Sequence, residues 1–186
     1  GGPDGIKKAL DDICAQASKA IKDGYSILVL SDRDVNTEMA PIPSLLATSA
    51  VHHHLVREGT RGKVGIVVES GDCREVHHFA LLIGYGAGAV NPYMAFETLT
   101  DLCAQQILPG ENAEKTAHKN YIKAVGKGLL KIFSKMGIST LQSYQGAQIF
   151  EAVGLNKELI DRYFTGTPSR IGGIGADVVA QEALLR

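Results

Sequence analysis

Tryptophan is absent from this chain of 186 residues, and only three cysteines occur in it. Their number is odd, and they are widely spaced, at Cys14, Cys73 and Cys103, with no Cys-x-x-Cys pair among them. A disulfide framework needs paired cysteines, and a zinc ribbon or an iron–sulfur cluster needs several close together. The sequence therefore predicts reduced thiols and no cluster or structural zinc held by this chain alone.

An excess of charge of one sign is also missing. The 19 lysines and arginines are balanced by 20 aspartates and glutamates, which gives a net charge of -1. Nucleic acids and anionic membranes attract a positive field, so neither is an expected partner. No apolar run approaches the roughly 20 residues needed to cross a bilayer, and no secretory leader is expected. A content of 45% hydrophobic and 21% charged residues excludes a disordered chain.

Strand patterns alternate with helix patterns along the chain. Continuous apolar runs predict buried strands at residues 25–30, 63–68 and 88–90, with a weaker one at 137–140. Apolar spacings of three and four predict a first helix between Asp4 and Gly24. Further helices are predicted at residues 43–58, 75–83, 93–107, 113–136, 145–153, 156–163 and 177–185. The predicted fold class is α/β: a mainly parallel sheet of about four strands in βα units, as a half-barrel or open sheet, plus extra C-terminal helices.

Polar residues follow the predicted strands at their carboxyl ends, where parallel α/β folds bind ligands. The candidates for ligand contact are Asp32, Arg33, Glu69, Ser70, Asn91 and Ser143. Two carboxylates, one guanidinium and neutral hydrogen-bonding groups suit a small polar ligand. The alternative, which we favour, is an ion pair between Arg33 and Glu69, or one centred on Asp32, that satisfies the polar ends of the sheet.

Histidines at 52–54 and 77–78 raise the question of a metal site. Adjacent helical residues diverge by about 100°, so neighbouring histidines cannot share one ion, and no His-x-x-x-His spacing is present. The glycines at 84–88 follow a helix and precede a strand, the reverse of a phosphate-binding loop. The glycine-rich residues 166–175 include Arg170 and favour an ordered connector over an anion site. No nucleophile motif is found, so we predict no catalytic and no metal-ligating residue.

Several long strings are more specific than any of these short motifs. They include APIPSLLA at residues 40–47 and VHHFALLIGYGAGAVNPY at residues 76–93. Others lie at residues 50–59, 68–71, 121–125, 128–139, 143–155 and 163–175. Together, from about Ser26 onward, they resemble the central domain of the glutamate synthase large subunit.

This resemblance implies a place in a much larger oxidoreductase of glutamate biosynthesis and ammonia assimilation. Members of the family carry a glutaminase domain, the central domain, and a domain that binds FMN and an iron–sulfur cluster. Ammonia released from glutamine passes through an internal tunnel to the FMN domain, where 2-oxoglutarate becomes glutamate. The resemblance thus implies a linker and scaffold that helps to wall the tunnel, with FMN and the cluster held by a neighbouring domain. It also implies a cytoplasmic location, or the plastid stroma in a photosynthetic eukaryote.

The domain organisation expected from this comparison places the central domain at residues 1–165, without the N-terminal part of the family domain. Residues 166–186 are expected to form a connector toward the FMN-binding domain. The expected partners are the glutaminase and FMN-binding domains of the same parent chain. Two alternatives stay open: an autonomous half-barrel enzyme that binds a small ligand or anion, and a module that forms homo-oligomers through bare interdomain surfaces.

Overall fold

A computed structural model describes residues 2–185, so Gly1 and Arg186, the outer ends of the predicted domain and connector, lie outside the described residues. The helices are α1 (Gly2–Lys22), α2 (Ser44–Arg57), α3 (Val76–Gly84), α4 (Tyr93–Ala104), α5 (Ala113–Met136), α6 (Leu141–Tyr144), α7 (Lys157–Tyr163) and α8 (Ala176–Leu184). The strands are β1 (Ile27–Ser31), β2 (Gly65–Glu69), β3 (Ala89–Asn91), β4 (Ala152–Leu155) and β5 (Ser169–Ile174).

The three apolar runs in the first half of the chain form one sheet, here called sheet A, in the order β1-β2-β3. Both strand pairs are parallel, with Ser31 opposite Glu69 and Glu69 opposite Asn91 at the carboxyl ends. β4 and β5 form a second parallel pair, sheet B. The predicted fold class, α/β with mainly parallel strands and C-terminal helices, is confirmed, and the strands are divided between two sheets.

The core lies between sheet A and the helices on one of its faces. Ile66 and Val68 of β2 are almost fully buried, as are Val51 and Leu55 of α2 and Leu10 of α1. α1 packs against both α2 and α8, so the first and the last helix are in contact. Burial of about five such side chains stabilises the fold by several kcal/mol, at roughly 1.5–3 kcal/mol each.

Two predicted elements in the second half are wrong. Residues 137–140 are not a strand, because Gly137 ends α5 in the left-handed region (φ 69°) and Thr140 already caps α6. The helix predicted at 145–153 does not form either, since Gly146 and Gln148 have positive φ values of 75° and 53°. Strand β4 begins at the end of that segment instead.

The glycine-rich residues 166–175 contain strand β5, which pairs with β4. A Cβ atom at Gly173 would overlap the carbonyl group of Gly154, so the close approach of these two strands requires glycine. β5 and α8 lie within the segment predicted as a connector, and α8 packs on α1. The domain boundary at residue 166 stays a prediction.

Candidate functional site

Five of the six predicted ligand candidates lie together at the carboxyl edge of sheet A. Glu69 ends β2 and Asn91 ends β3, directly opposite each other, while Asp32 and Arg33 follow β1. Ser70 follows Glu69 and is fully buried. The parallel register therefore gathers these residues, as the topology predicts.

Glu69 is the centre of one half of this cluster. Its carboxylate accepts hydrogen bonds from Ser31 Oγ (2.7 Å) and Asn91 Nδ2 (3.1 Å), and it pairs with Arg33 Nε at 2.8 Å. The hydrogen bond from Ser31, followed by that from Arg33, lowers the pKa of Glu69 below its ordinary value. The Arg33–Glu69 ion pair favoured from the sequence is present. The Arg33 guanidinium also lies 4.0 Å above the ring of Tyr93 and 3.5 Å from Glu97.

Asp32 is the centre of the other half. Its two carboxylate oxygens accept from the Gly71 amide at 2.9 and 3.0 Å, and the Tyr93 hydroxyl hydrogen-bonds to the same carboxylate. Ser44 Oγ lies 2.6 Å from Ser70 Oγ and 3.5 Å from Asp32. Burial, and then the hydrogen bond to Asp32, raises the pKa of Tyr93 to about 12. Both carboxylates are thus bound by groups of this chain.

Ser143, the sixth candidate, is placed elsewhere. It lies in α6, where its amide and hydroxyl bond to the side chain of Thr140, the N-cap of that helix. No described contact joins it to the Asp32 and Glu69 cluster.

Conversely, Ser44 and Glu97 belong to the cluster and were not among the candidates. They lie near the starts of α2 and α4, and helix starts after a strand converge on the same edge of a parallel sheet.

Several of the histidines take part in hydrogen bonds, and within the described residues no group of three or more potential metal ligands is found. His54 Nε2 lies 2.7 Å from Ser18 Oγ, and His78 closes a capping box at the start of α3. His52 Nδ1 accepts from Arg61 Nε at 3.0 Å, while Arg61 also donates to the Gly86 carbonyl. Burial, followed by repulsion from His53 and Arg61, lowers the pKa of His52 to about 4.

This pKa predicts a stability change in acid. The folded state binds a proton at His52 less readily than the unfolded state, whose value is near 6.5. The free energy of unfolding should therefore fall as pH drops from about 6.5 toward 4, by about 1–3 kcal/mol after allowing for solvent screening. His52→Asn keeps an acceptor for Arg61 without titrating, so urea unfolding at pH 7 and pH 4.5 should show a smaller loss. The control is His77→Asn at an exposed position, which should lose as much free energy of unfolding between pH 7 and pH 4.5 as the unaltered chain. If His52→Asn also loses as much as the unaltered chain, the expectation is contradicted.

Within residues 2–185, helices cover one face of sheet A and leave the other exposed. On the opposite face lie four residues in register, Ile27, Val29, Val67 and Ala89, here called the open face. Ile27 and Val29 expose 62% and 60% of their surface. Parallel sheets are normally buried on both faces, so an open apolar face of this kind indicates a contact surface.

Two of the three cysteines are buried thiols. Burial raises the pKa of Cys14 to about 11 and that of Cys73 to about 12, which disfavours the thiolate form that binds metals.

Within residues 2–185, no helix combines the length and the apolar character needed to cross a membrane.

Comparison with known proteins gives a consistent result. A family model described as "Glutamate synthase central domain" matches residues 2–156. The "Glutamate synthase [NADPH] large chain" of Bacillus subtilis is 52% identical over 183 residues, which cover 97% of this chain and 12% of that protein. "Glutamate synthase [NADH]" of Schizosaccharomyces pombe is 50% identical over 182 residues, covering 98% and 9%. "Ferredoxin-dependent glutamate synthase" of Pyropia yezoensis is 47% identical over 194 residues, covering 98% and 12%. The chain therefore spans only 9–12% of the length of these three relatives.

Proposed function

The chain belongs to the glutamate synthase central domain family, and from that premise we propose that it is the scaffold of a larger glutamate synthase polypeptide. In this proposal it joins a glutaminase domain to an FMN-binding domain and helps to enclose the path of ammonia between them. The reactions of glutamate biosynthesis and ammonia assimilation take place in those neighbours. This chain supplies the wall and no catalytic residue.

The open face of sheet A is the observation that carries this proposal. An enzyme that works alone has no use for a bare row of apolar side chains on a parallel sheet, whereas a scaffold meets its neighbours through such surfaces. Sheet B has a second exposed apolar pair, Val153 and Ile171, which expose 67% and 60% of their surface. Both surfaces fit contact with other domains of one parent chain.

The polar cluster at the carboxyl edge supports the same role. A general base or a nucleophile needs a free group directed at a substrate. Here Asp32 and Glu69 each accept several hydrogen bonds from neighbouring elements, which ties the strand ends to the loops that follow them. Ammonia stays neutral and confined only where bulk water is excluded, and a rigid, internally bonded edge suits such a wall. We keep Asp32, Arg33, Glu69, Ser70, Asn91 and Ser143 as candidates for facing the passage.

The residues of this chain do not fit an iron–sulfur cluster. Cys14 and Cys73 are buried thiols on separate elements, and the described residues contain no group of three potential ligands. The proposal therefore assigns the cluster, together with FMN, to the neighbouring FMN-binding domain. It places the protein in the cytoplasm, or in the plastid stroma of a photosynthetic eukaryote.

The proposed function is tested by measuring how tightly glutamine hydrolysis is coupled to glutamate formation. Ala89→Glu places a charge on the open face, at the edge of sheet A farthest from β1. In the parent polypeptide, we expect glutamate formation from glutamine to fall about tenfold, because a small displacement of the domains opens the ammonia path. Glutamine hydrolysis and glutamate formation from added ammonia should persist, with free ammonia released into solution.

The matched control is Ala124→Glu, the same substitution at an exposed position of α5. It should leave all three rates unchanged. If Ala89→Glu lowers none of the rates, the open face is not an interdomain surface. If the 186-residue chain alone produces glutamate, or binds FMN stoichiometrically, the scaffold proposal is wrong.

A further inference from the structure

The outer edge of β1 has main-chain groups that no strand of the described residues binds. In a parallel strand, residues of one parity direct both N–H and C=O to the same side. Ser26 O accepts from the Gly65 amide, and the Asp32 amide donates to Glu69 O, so even-numbered residues bond to β2. The N–H and C=O groups of Ile27 and Val29 therefore point away from the sheet. β1 is the end of the strand order, and β2 is its only described partner.

A groove runs along this unpaired edge. It has a volume of about 580 Å³ and includes all five residues of β1 in its lining. Ile13, Ala17 and Ala20 of α1 form one wall. Val35 and Met39, from the segment after β1, form another and are themselves exposed. The groove thus offers backbone hydrogen-bonding groups on one side and apolar side chains on the others.

The order of the elements indicates what the groove accommodates. α2 connects β1 to the adjacent parallel strand β2, and α3 connects β2 to β3 in the same way. α1 stands directly before β1 and packs beside α2, in the position that a crossover helix occupies. Crossovers between parallel strands of one sheet have a constant hand. A strand that α1 connects to β1 would therefore lie beside β1, on the side away from β2.

We propose that the outer edge of β1 pairs with a further parallel strand, supplied by an extended apolar segment that precedes α1 in the larger polypeptide. This proposal rests on the proposed function, because the segment comes from the part of the parent chain beyond these residues. The relatives supply a length argument, since this chain covers only 9–12% of each. A strand of about five residues, about 17 Å long, matches β1. Apolar side chains on its helix-facing side would pack on Ile13 and Ala17.

Hydrogen exchange resolved at single amides tests the added strand. In the 186-residue chain, the amides of Leu28 and Leu30 should be protected, while those of Ile27 and Val29 exchange quickly. In the parent polypeptide, Ile27 and Val29 should become protected by about 100-fold or more, as an amide in a central strand is. Equal, fast exchange of these two amides in both proteins would overturn the proposal.

Proline substitutions give a matched pair of variants. Val29→Pro removes an N–H that faces the groove, and β1 as an edge strand tolerates it in the isolated chain. Leu28→Pro removes an N–H that faces β2 and should unfold the same chain. In the parent polypeptide, Val29→Pro should return the exchange of Ile27 to the fast rate of the isolated chain. If Val29→Pro does not fold, the exchange rates of the wild-type chain still decide.

Thiol labelling separates this proposal from the scaffold function. Val29→Cys should react slowly in the parent polypeptide when any neighbour covers the open face. Slow labelling with fast amide exchange would mean that a domain covers the face without adding a strand, so only the strand proposal fails. Fast labelling and fast exchange would overturn both. Protection of Ile27 and Val29 that rises with the concentration of the isolated chain would assign the edge to a second copy, and also overturns the proposal.

Discussion

Asp32→Ala is expected to lower the free energy of unfolding by about 2–3 kcal/mol. The substitution leaves the Gly71 amide and the Tyr93 hydroxyl without their shared acceptor, and it removes a neighbour of Ser44. These partners belong to the loop after β2 and to the helices that follow β1 and β3. Loss of one carboxylate thus loosens three connections at the carboxyl edge of sheet A.

Urea unfolding of the 186-residue chain measures this effect, and Asp34→Ala, at an exposed position two residues along, is the control. The hydrogen bond to Asp32 contributes to the raised pKa of Tyr93, so the pKa of Tyr93 should fall below about 12 in Asp32→Ala. Burial, the larger cause, keeps it above 10. A tyrosinate titration unchanged by the substitution would show that Asp32 does not hold Tyr93.

Tyr144→Ala should have a larger effect, about 3–5 kcal/mol, because it removes a fully buried ring. Tyr144 is 0% exposed, its ring centroid lies 4.2 Å from that of Phe133 in α5, and its hydroxyl donates to Ala80 O in α3. The short helix α6 is therefore bound to two longer helices through one side chain.

Two control variants separate the contribution of the buried ring from that of the hydroxyl hydrogen bond. Tyr144→Phe keeps the ring and loses only the hydrogen bond, so it should cost about 1 kcal/mol. Tyr25→Ala removes a tyrosine that is 65% exposed and should cost less than about 0.5 kcal/mol. Denaturant unfolding of all three variants should give this order. Equal losses for Tyr144→Ala and Tyr144→Phe would show that ring packing is unimportant there.

The first half of the fold could be predicted from the sequence because its signals are local. The runs 25–30, 63–68 and 88–90 are mostly apolar, and each corresponds to a strand of sheet A with a small shift in its ends. Parallel pairing then brings the residues after those strands to one edge. For this reason the grouping of Asp32, Glu69 and Asn91 is predictable from the sequence.

The second half was predicted less well because tertiary contacts override its local pattern. Residues 145–153 have apolar spacing compatible with a helix, but the positive φ values of Gly146 and Gln148 interrupt it. The glycines of β5 are typical of a connector, yet they permit close contact with Gly154. Ser143 was placed at the edge of the sheet only because a strand was expected at 137–140. Ser44 and Glu97 were missed because their role depends on where α2 and α4 begin.

The burial of two thiols in separate parts of the core makes them natural reporters of local opening. Cys14 lies in α1, one residue after Ile13 in the wall of the groove, and Cys73 lies in the loop before α3. Both are less than 10% exposed. An alkylating reagent reaches each sulfur only when its own segment opens, so the two modification rates record two different motions of the same molecule. Ordering of the β1 edge by a neighbouring strand would slow the reaction at Cys14 and leave that at Cys73 nearly unchanged.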